Sequence, residues 1–247
     1  MSEDLELHAV VHLVRPLRLR ARGLAELREG VAAASPTSLF HHAVQYQLRA
    51  PTDDELPPDD FSAWAHGVLQ DREAAERLSF AIQSAPRGSE PLRGALLRTL
   101  AGLHERPGRA APEGGEFVFL AVDSVAVSTG VRARDPAGLM EGLARAAPSV
   151  WFYHLIERPW FDEADPEVTG WLRARGEDAL AGWLAHAAAS GRPIGVIRRQ
   201  LLERWRRRRL GVRVAEAARR PEGERAAAAH DAVAGLVRRL RRPEERS

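Results

Sequence analysis

The sequence has no cysteine, no lysine and no asparagine. Without a thiol there is no disulfide, zinc ribbon, iron–sulfur ligand set or cysteine nucleophile. Without lysine there is no Schiff base, phosphate-loop lysine or kinase-type nucleotide lysine. All 36 basic residues are therefore arginine. Lysine and asparagine have AT-rich codons, so mutation pressure in a GC-rich genome accounts for both absences. No apolar run approaches the roughly 20 residues that span a bilayer. The opening Ser2-Glu3-Asp4 lacks the basic patch and apolar stretch of a secretory leader. Together these absences predict a cytoplasmic protein without a membrane segment.

What is present is ordinary in amount and unusual in arrangement. A chain of 247 residues has room for one large domain or two of about 100 to 120 residues, either of which can bury a core. The net charge of +2 hides a segregation. Residues 190–247 carry 17 arginines against seven acids, and residues 1–189 carry 19 against 27. Codon pressure explains the arginines but not their placement.

The most specific signal is internal. Laying Arg22–Gln45 over Arg134–Glu157, a constant offset of 112, makes ten of 24 positions identical. Composition alone gives about two, so a repeat is expected. The matches include Leu27 with Leu139, Gly30 with Gly142, Pro36 with Pro148, Phe40 with Phe152 and His42 with His154. After a loop shortened by five residues, Trp64 falls on Trp171. Each half opens on an extended apolar stretch. Phe117, Phe119, Ala121, Val125 and Val127 alternate around Asp123-Ser124 as a hairpin would. Leu24, Leu27 and Val31 then follow helical spacing, as do Leu139 and Leu143, and the prolines at 36 and 148 stop both helices. The expected fold class is α+β, predominantly helical, with two homologous repeats, each a short β-hairpin plus about five helices. The expected domains are residues 1–105, a Pro/Gly-rich linker over 106–115, residues 116–210, and an Arg-rich helical tail over 211–247.

The order of these pieces resembles the bacterial and archaeal domain of unknown function 5752. The residues that carry the resemblance are Pro36-Thr37-Ser38-Leu39-Phe40-His41-His42, Asp59-Asp60-Phe61-Ser62-Ala63-Trp64 and Glu73 to Leu78. In the second half they are Pro148 to His154 and Glu167-Val168-Thr169-Gly170-Trp171. On this resemblance the chain holds tandem copies of the family's domain over residues of about 8 to 105 and 116 to 210. The second copy departs from the pattern by lacking the Asp-Phe of the tryptophan motif. The family implies a fold outline and no activity.

His42 and His154 are the candidate site residues, each at the rim of an apolar helical arc. Such a histidine can bond a carbonyl or carboxylate, or act as a base or ligand. Asp59, Asp60, Glu163, Asp165 and Glu167 are the available carboxylates, and Asp60 and Glu167 join the histidines as catalytic candidates. One histidine per half lacks the fixed spacing of a metal-binding helix and a third ligand, so neither a metal nor a cofactor is expected. Trp160-Phe161, between Pro159 and Asp162, reads as a contact surface or as a loop folded over the core. Arg206, Arg207, Arg208 and Arg209 point all around a helix, so they do not form one groove-facing stripe. Ala226 to Arg242 is amphipathic and needs a surface to cover it. There is no Gly-rich phosphate loop and no Gly-x-Ser-x-Gly elbow.

The sequence is therefore read as a non-enzymatic protein-interaction or accessory module, contacting a protein partner or a second copy through Trp160, Phe161 and Arg206–Arg209. A His/carboxylate enzyme or metal-binding protein is the alternative reading. Nucleic-acid binding through the arginine tail is a second alternative and is less favoured.

Overall fold

A computed structural model describes residues 4–49, 58–104, 110–162 and 167–219, with backbone only at Glu167 and over 212–219. Glu163, Asp165, residue 105, residues 106–109 of the expected linker and the Ala226–Arg242 segment lie outside the described residues. The chain divides into two compact units, Met1–Leu201 and Leu202–Ser247. The first unit holds every element of the candidate site.

The first unit starts with strand β1 (Leu5–Ala21) and helices α1 (Leu24–Ala33) and α2 (Pro36–Ala43). A 3-10 turn over Gln45–Leu48 follows, then α3 (Asp60–Gly67), α4 (Arg72–Ser84) and α5 (Ser89–Ala101). Next come β2 (Phe117–Ala133), α6 (Pro136–Arg145) and α7 (Pro148–Phe152). A π-helical turn over Tyr153–Glu157 runs directly into α8 (Arg158–Phe161), and α9 (Glu167–Arg173) and α10 (Asp178–Ala189) follow. Helix α11 (Ile194–Arg219) runs into the second unit. The protein is thus α+β and mostly helical.

Local chemistry sets the helix starts. Ser35 caps α2 by accepting the Ser38 N–H, with Pro36 at the first helical position. Asp59 caps α3 through Ser62, Asp71 caps α4 through Ala74, and Asp135 caps α6 through Gly138 ahead of Pro136. In each case a short side-chain oxygen takes up an N–H that the helix cannot satisfy itself. Helix α1 buries Leu24, Leu27, Gly30 and Val31, and α6 buries Leu139, Met140 and Leu143.

The expected hairpins do not form. Each half contributes one unbroken 17-residue strand, and the two strands pair antiparallel with each other. Asp123 and Ser124 sit mid-strand opposite Leu13 and His12. Neither has the positive φ that a tight hairpin turn demands, as Asn-Gly or Asp-Gly would supply. Strands from either side of residues 105–116 therefore share one sheet.

Two irregularities interrupt the ladder, between Glu6 and His8 and between Pro16 and Arg20. Pro16 has no N–H to give to a ladder. Gly130, opposite the first irregularity, adopts φ +71°, a conformation open to glycine at a bulge. The element bounds recur with the sequence offset: β1 and β2 begin 112 positions apart, as do α1 and α6, each ten residues long. At the centre of the ribbon His12 faces Ser124, also 112 positions away.

Helix α1 approaches β2 closely. A Cβ on Gly30 would lie 2.3 Å from Phe119 Cε2 and 2.5 Å from its Cζ, and Phe119 is fully buried. Gly142 faces Leu7 and Val131 less tightly, at 3.0 and 3.1 Å. Both glycines are present because a side chain there would occupy the space of a core residue from the opposite strand.

Candidate functional site

His42 lies inside the protein, 3% exposed. Its Nε2 accepts the backbone N–H of Leu120 on β2 at 2.9 Å. A backbone N–H can only donate, so Nε2 is bare and Nδ1 carries the proton. That Nδ1 donates to Asp60 Oδ2 at 2.9 Å, and Asp60 Oδ1 accepts from Arg49 at 3.0 Å. The rings of Phe61, Phe117 and Phe119 enclose the imidazole at centroid distances of 5.4, 4.7 and 5.9 Å. Burial would raise the Asp60 carboxyl, but the His42 hydrogen bond and the Arg49 charge outweigh it and hold the group below its ordinary range.

His154 does the same from the other half. Its Nε2 accepts the backbone N–H of His8 on β1 at 2.9 Å, beside the first irregularity in the ladder. The residue is 2% exposed. Burial, followed by the nearby His8 and Arg158, depresses its pKa to about 3. Glu167 opens α9, and its side chain lies outside the described residues. The two candidate histidines thus take up N–H groups that the strands leave free where pairing is irregular.

A second cluster occupies the middle of the ribbon. His12 Nε2 donates to Glu157 Oε2 at 2.7 Å, and His12 Nδ1 accepts from Gln45 Nε2 at 2.7 Å. Gln45 Oε1 in turn accepts from His41 Nδ1. The bonds run in one direction, from His41 through Gln45 and His12 to the buried Glu157 carboxylate. Sequence reasoning missed all four residues. The available signal was that Gln45 and Glu157 form the last aligned pair of the 112-residue offset, one an amide and the other a carboxylate. Their partner His12 sits in a strand 33 and 145 positions away.

His41, His42 and Asp60 bring three candidate ligand atoms within 4.8 Å of one another, so the third ligand that spacing did not supply exists in space. The hydrogen bonds oppose its use. With Nε2 occupied by the Leu120 N–H, His42 presents a proton at Nδ1, and metal ligation there would require removing it from a ring that stays neutral only while it keeps it. The trio fits a hydrogen-bonded cluster.

The aromatic pair packs inward. Trp160 and Phe161 end α8, and both rings lie against Phe40, at 5.7 and 5.0 Å. Trp160 is half-buried and Phe161 is 44% exposed. Trp64 is buried and its Nε1 donates to Gly115 O at 2.9 Å. Trp171 differs: Val168, Thr169 and Leu172 take the buried positions of α9, and Trp171 stacks under the Arg175 guanidinium at 3.6 Å. In the second unit Arg206 and Arg207 are exposed and Arg208 and Arg209 half-buried, with Arg208 5.9 Å from the Trp205 ring. The four arginines do not share one face.

The buried groups set a pH dependence. Between about 3 and 6.5 the unfolded chain binds a proton at position 154 that the folded chain refuses, so acidification through this window lowers stability. His41, also depressed by burial, acts in the same direction. Asp59 opposes them. Its burial raises its pKa from 3.8 to about 6, so between these values the folded chain holds a proton that the unfolded chain releases, and acidification stabilises. His154→Gln isolates the first effect. Its urea-unfolding free energy is expected to fall less steeply from pH 6.5 to 4, by up to about 1.4 kcal/mol per pH unit. Parallel profiles for the two proteins would contradict the assignment.

These features define a mostly helical α+β protein whose two-stranded ribbon is held from both halves by buried histidines. The chain belongs to the family of unknown function DUF5752, which it matches as one span over residues 2–205. The single span covers both halves and does not repeat the family's domain twice. Among curated proteins none matches. Among solved structures, that of OrfY from Thermoproteus tenax is similar in fold, with a TM-score of 0.68 and 24% identity over 82% of this chain and 95% of that one. Among the described residues no helix is long and apolar enough to cross a membrane.

Proposed function

We propose that this chain is a non-enzymatic cytoplasmic interaction module whose contact surface is the outer face of the β1–β2 ribbon, and that the occupant of this face is a second copy of the chain. The observation that carries the reading is an apolar surface where a finished fold would present polar residues. Val11, Leu13, Val125 and Val127 are 51, 61, 49 and 46% exposed. Val11 lies directly opposite Val125, so these residues form one patch instead of scattered singles. Arg15 and Asp123, exposed and paired at 3.1 Å on the same ribbon, give the patch one charge of each sign, which an isologous pairing can satisfy reciprocally. The histidines support the same reading, because His42 and His12 spend both ring nitrogens on holding the frame and His154 spends its Nε2.

We further propose that the single family domain is an internal duplication, with residues 1–105 and 116–210 as its two copies. In support, the bounds of β1 and α1 recur 112 positions later. His42 takes the N–H of Leu120 while His154 takes that of His8, and 112 positions separate both the histidines and the donors.

Sedimentation equilibrium tests the functional reading. The wild-type chain is expected to be dimeric at micromolar concentration, and Leu13→Glu/Val125→Glu monomeric with an unchanged helical circular-dichroism spectrum. A monomeric wild type, or a double variant that still dimerises, would refute it.

A further inference from the structure

A cavity of about 240 Å³ opens between the two halves of the first unit. It is smaller than most drug-sized sites and suited to a small metabolite. Ile82 and Ile156 contribute apolar wall from opposite halves, and Tyr46, Gln47, Arg87 and Trp160 contribute polar groups. Two of those groups are unfinished. Gln47 is 7% exposed, and its Oε1 is buried without a hydrogen-bond partner among the described residues; the Trp160 Nε1 is in the same state. An unmet acceptor and an unmet donor beside one cavity each carry a desolvation cost that an occupant would relieve. Both residues line the cavity, which makes a bound molecule a candidate partner for each.

The character of that molecule follows from the lining. Arg87 makes no ion pair among the described residues and offers a guanidinium fork, the natural partner of a carboxylate. Trp160 adds a second donor for the same group, and Gln47 Oε1 asks for a neutral donor. Among the described residues no aspartate or glutamate lines the cavity, so an ammonium group would meet Arg87 without a compensating anion from them. Tyr46 donates its hydroxyl proton to Gly191 O at 2.8 Å, which leaves its oxygen able only to accept. We propose that this cavity binds a small 2-hydroxycarboxylic acid with an apolar side chain, its carboxylate on Arg87 and Trp160, its hydroxyl donating to Gln47, and its side chain between Ile82 and Ile156.

The test uses the full chain, with the Trp160 indole N–H resonance assigned by Trp160→Phe and phenyllactate as the probe. Phenyllactate is expected to shift that resonance saturably. Its methyl ester, and phenyllactate with Arg87→Ala, are each expected to bind about ten-fold more weakly or worse. Arg87 is exposed, so that variant keeps its fold. Gln47→Leu is expected to weaken phenyllactate without weakening 3-phenylpropionate, which lacks the hydroxyl. An unmoved Trp160 N–H at millimolar phenyllactate would overturn the proposal, and so would equal affinity for the ester, for Arg87→Ala or for phenylalanine.

Discussion

Replacing His42 by alanine is expected to lower the unfolding free energy by about 2 to 4 kcal/mol, a Tm loss of about 4 to 16 °C for a chain of this size. Three losses combine. The Leu120 N–H loses its acceptor in the interior, Asp60 keeps Arg49 but loses its buried donor, and a ring enclosed by Phe61, Phe117 and Phe119 is replaced by a void. His154→Ala, which strips the His8 N–H of its acceptor, is expected to cost a similar amount. Glutamine at either position can present an acceptor to the strand N–H and should recover part of the loss, which a general base could not regain in this way. Thermal and urea melts of the four variants decide the matter. A histidine whose removal leaves stability untouched is not holding the ribbon.

Gly30→Ala is expected to cost about 3 kcal/mol, against the direction that helix propensity alone sets. In an exposed helix interior this exchange stabilises by about 1 kcal/mol. Here the new methyl would stand 2.3 Å from the edge of Phe119, a ring with no solvent side to retreat to, so helix and strand must separate. Gly142→Ala meets the ends of two aliphatic side chains at 3.0 and 3.1 Å, which give way more readily, and about 1 kcal/mol is expected there. The order of the two costs is the informative result. Equal melting temperatures, or a stabilised Gly30→Ala, would mean that α1 does not press on β2 as described.

Much of the helical frame was legible in the residues. Leu24, Leu27 and Val31 announce α1 and Leu139 and Leu143 announce α6, because a helix writes its buried face every three or four positions. Pro36 and Pro148 mark where the next helices begin. The strands were legible as strands and not as partners. Alternation reports that a segment is extended and half-buried, but the ladder partner of Val11 is Val125, more than a hundred positions away, and period-two patterning contains nothing that names it. A hairpin is the shortest way to pair a strand, so Asp123-Ser124 invited one without the turn chemistry to make it. The site was legible in part for the same reason. His42 and Asp60 stood out by repetition and proximity. His12, Gln45 and Glu157 come together only because the ribbon crosses the middle of the molecule, and a lone histidine in a strand gives no sign of that. The segregation of arginine toward the C-terminus stays a matter of composition: Arg206–Arg209 surround their helix and do not align on one face.

Both histidines related by the 112-residue offset accept strand N–H groups, and their ring nitrogens can be read directly. Long-range ¹H–¹⁵N spectra of labelled protein at neutral pH should show His42 and His154 as neutral rings protonated at Nδ1. A hydrogen-bond-mediated coupling should link each Nε2 to one backbone amide, Leu120 for His42 and His8 for His154. Protonation at Nε2 in either ring, or a ring titrating freely near 6.5 at position 154, would contradict the structural role and return these residues to the list of candidate bases.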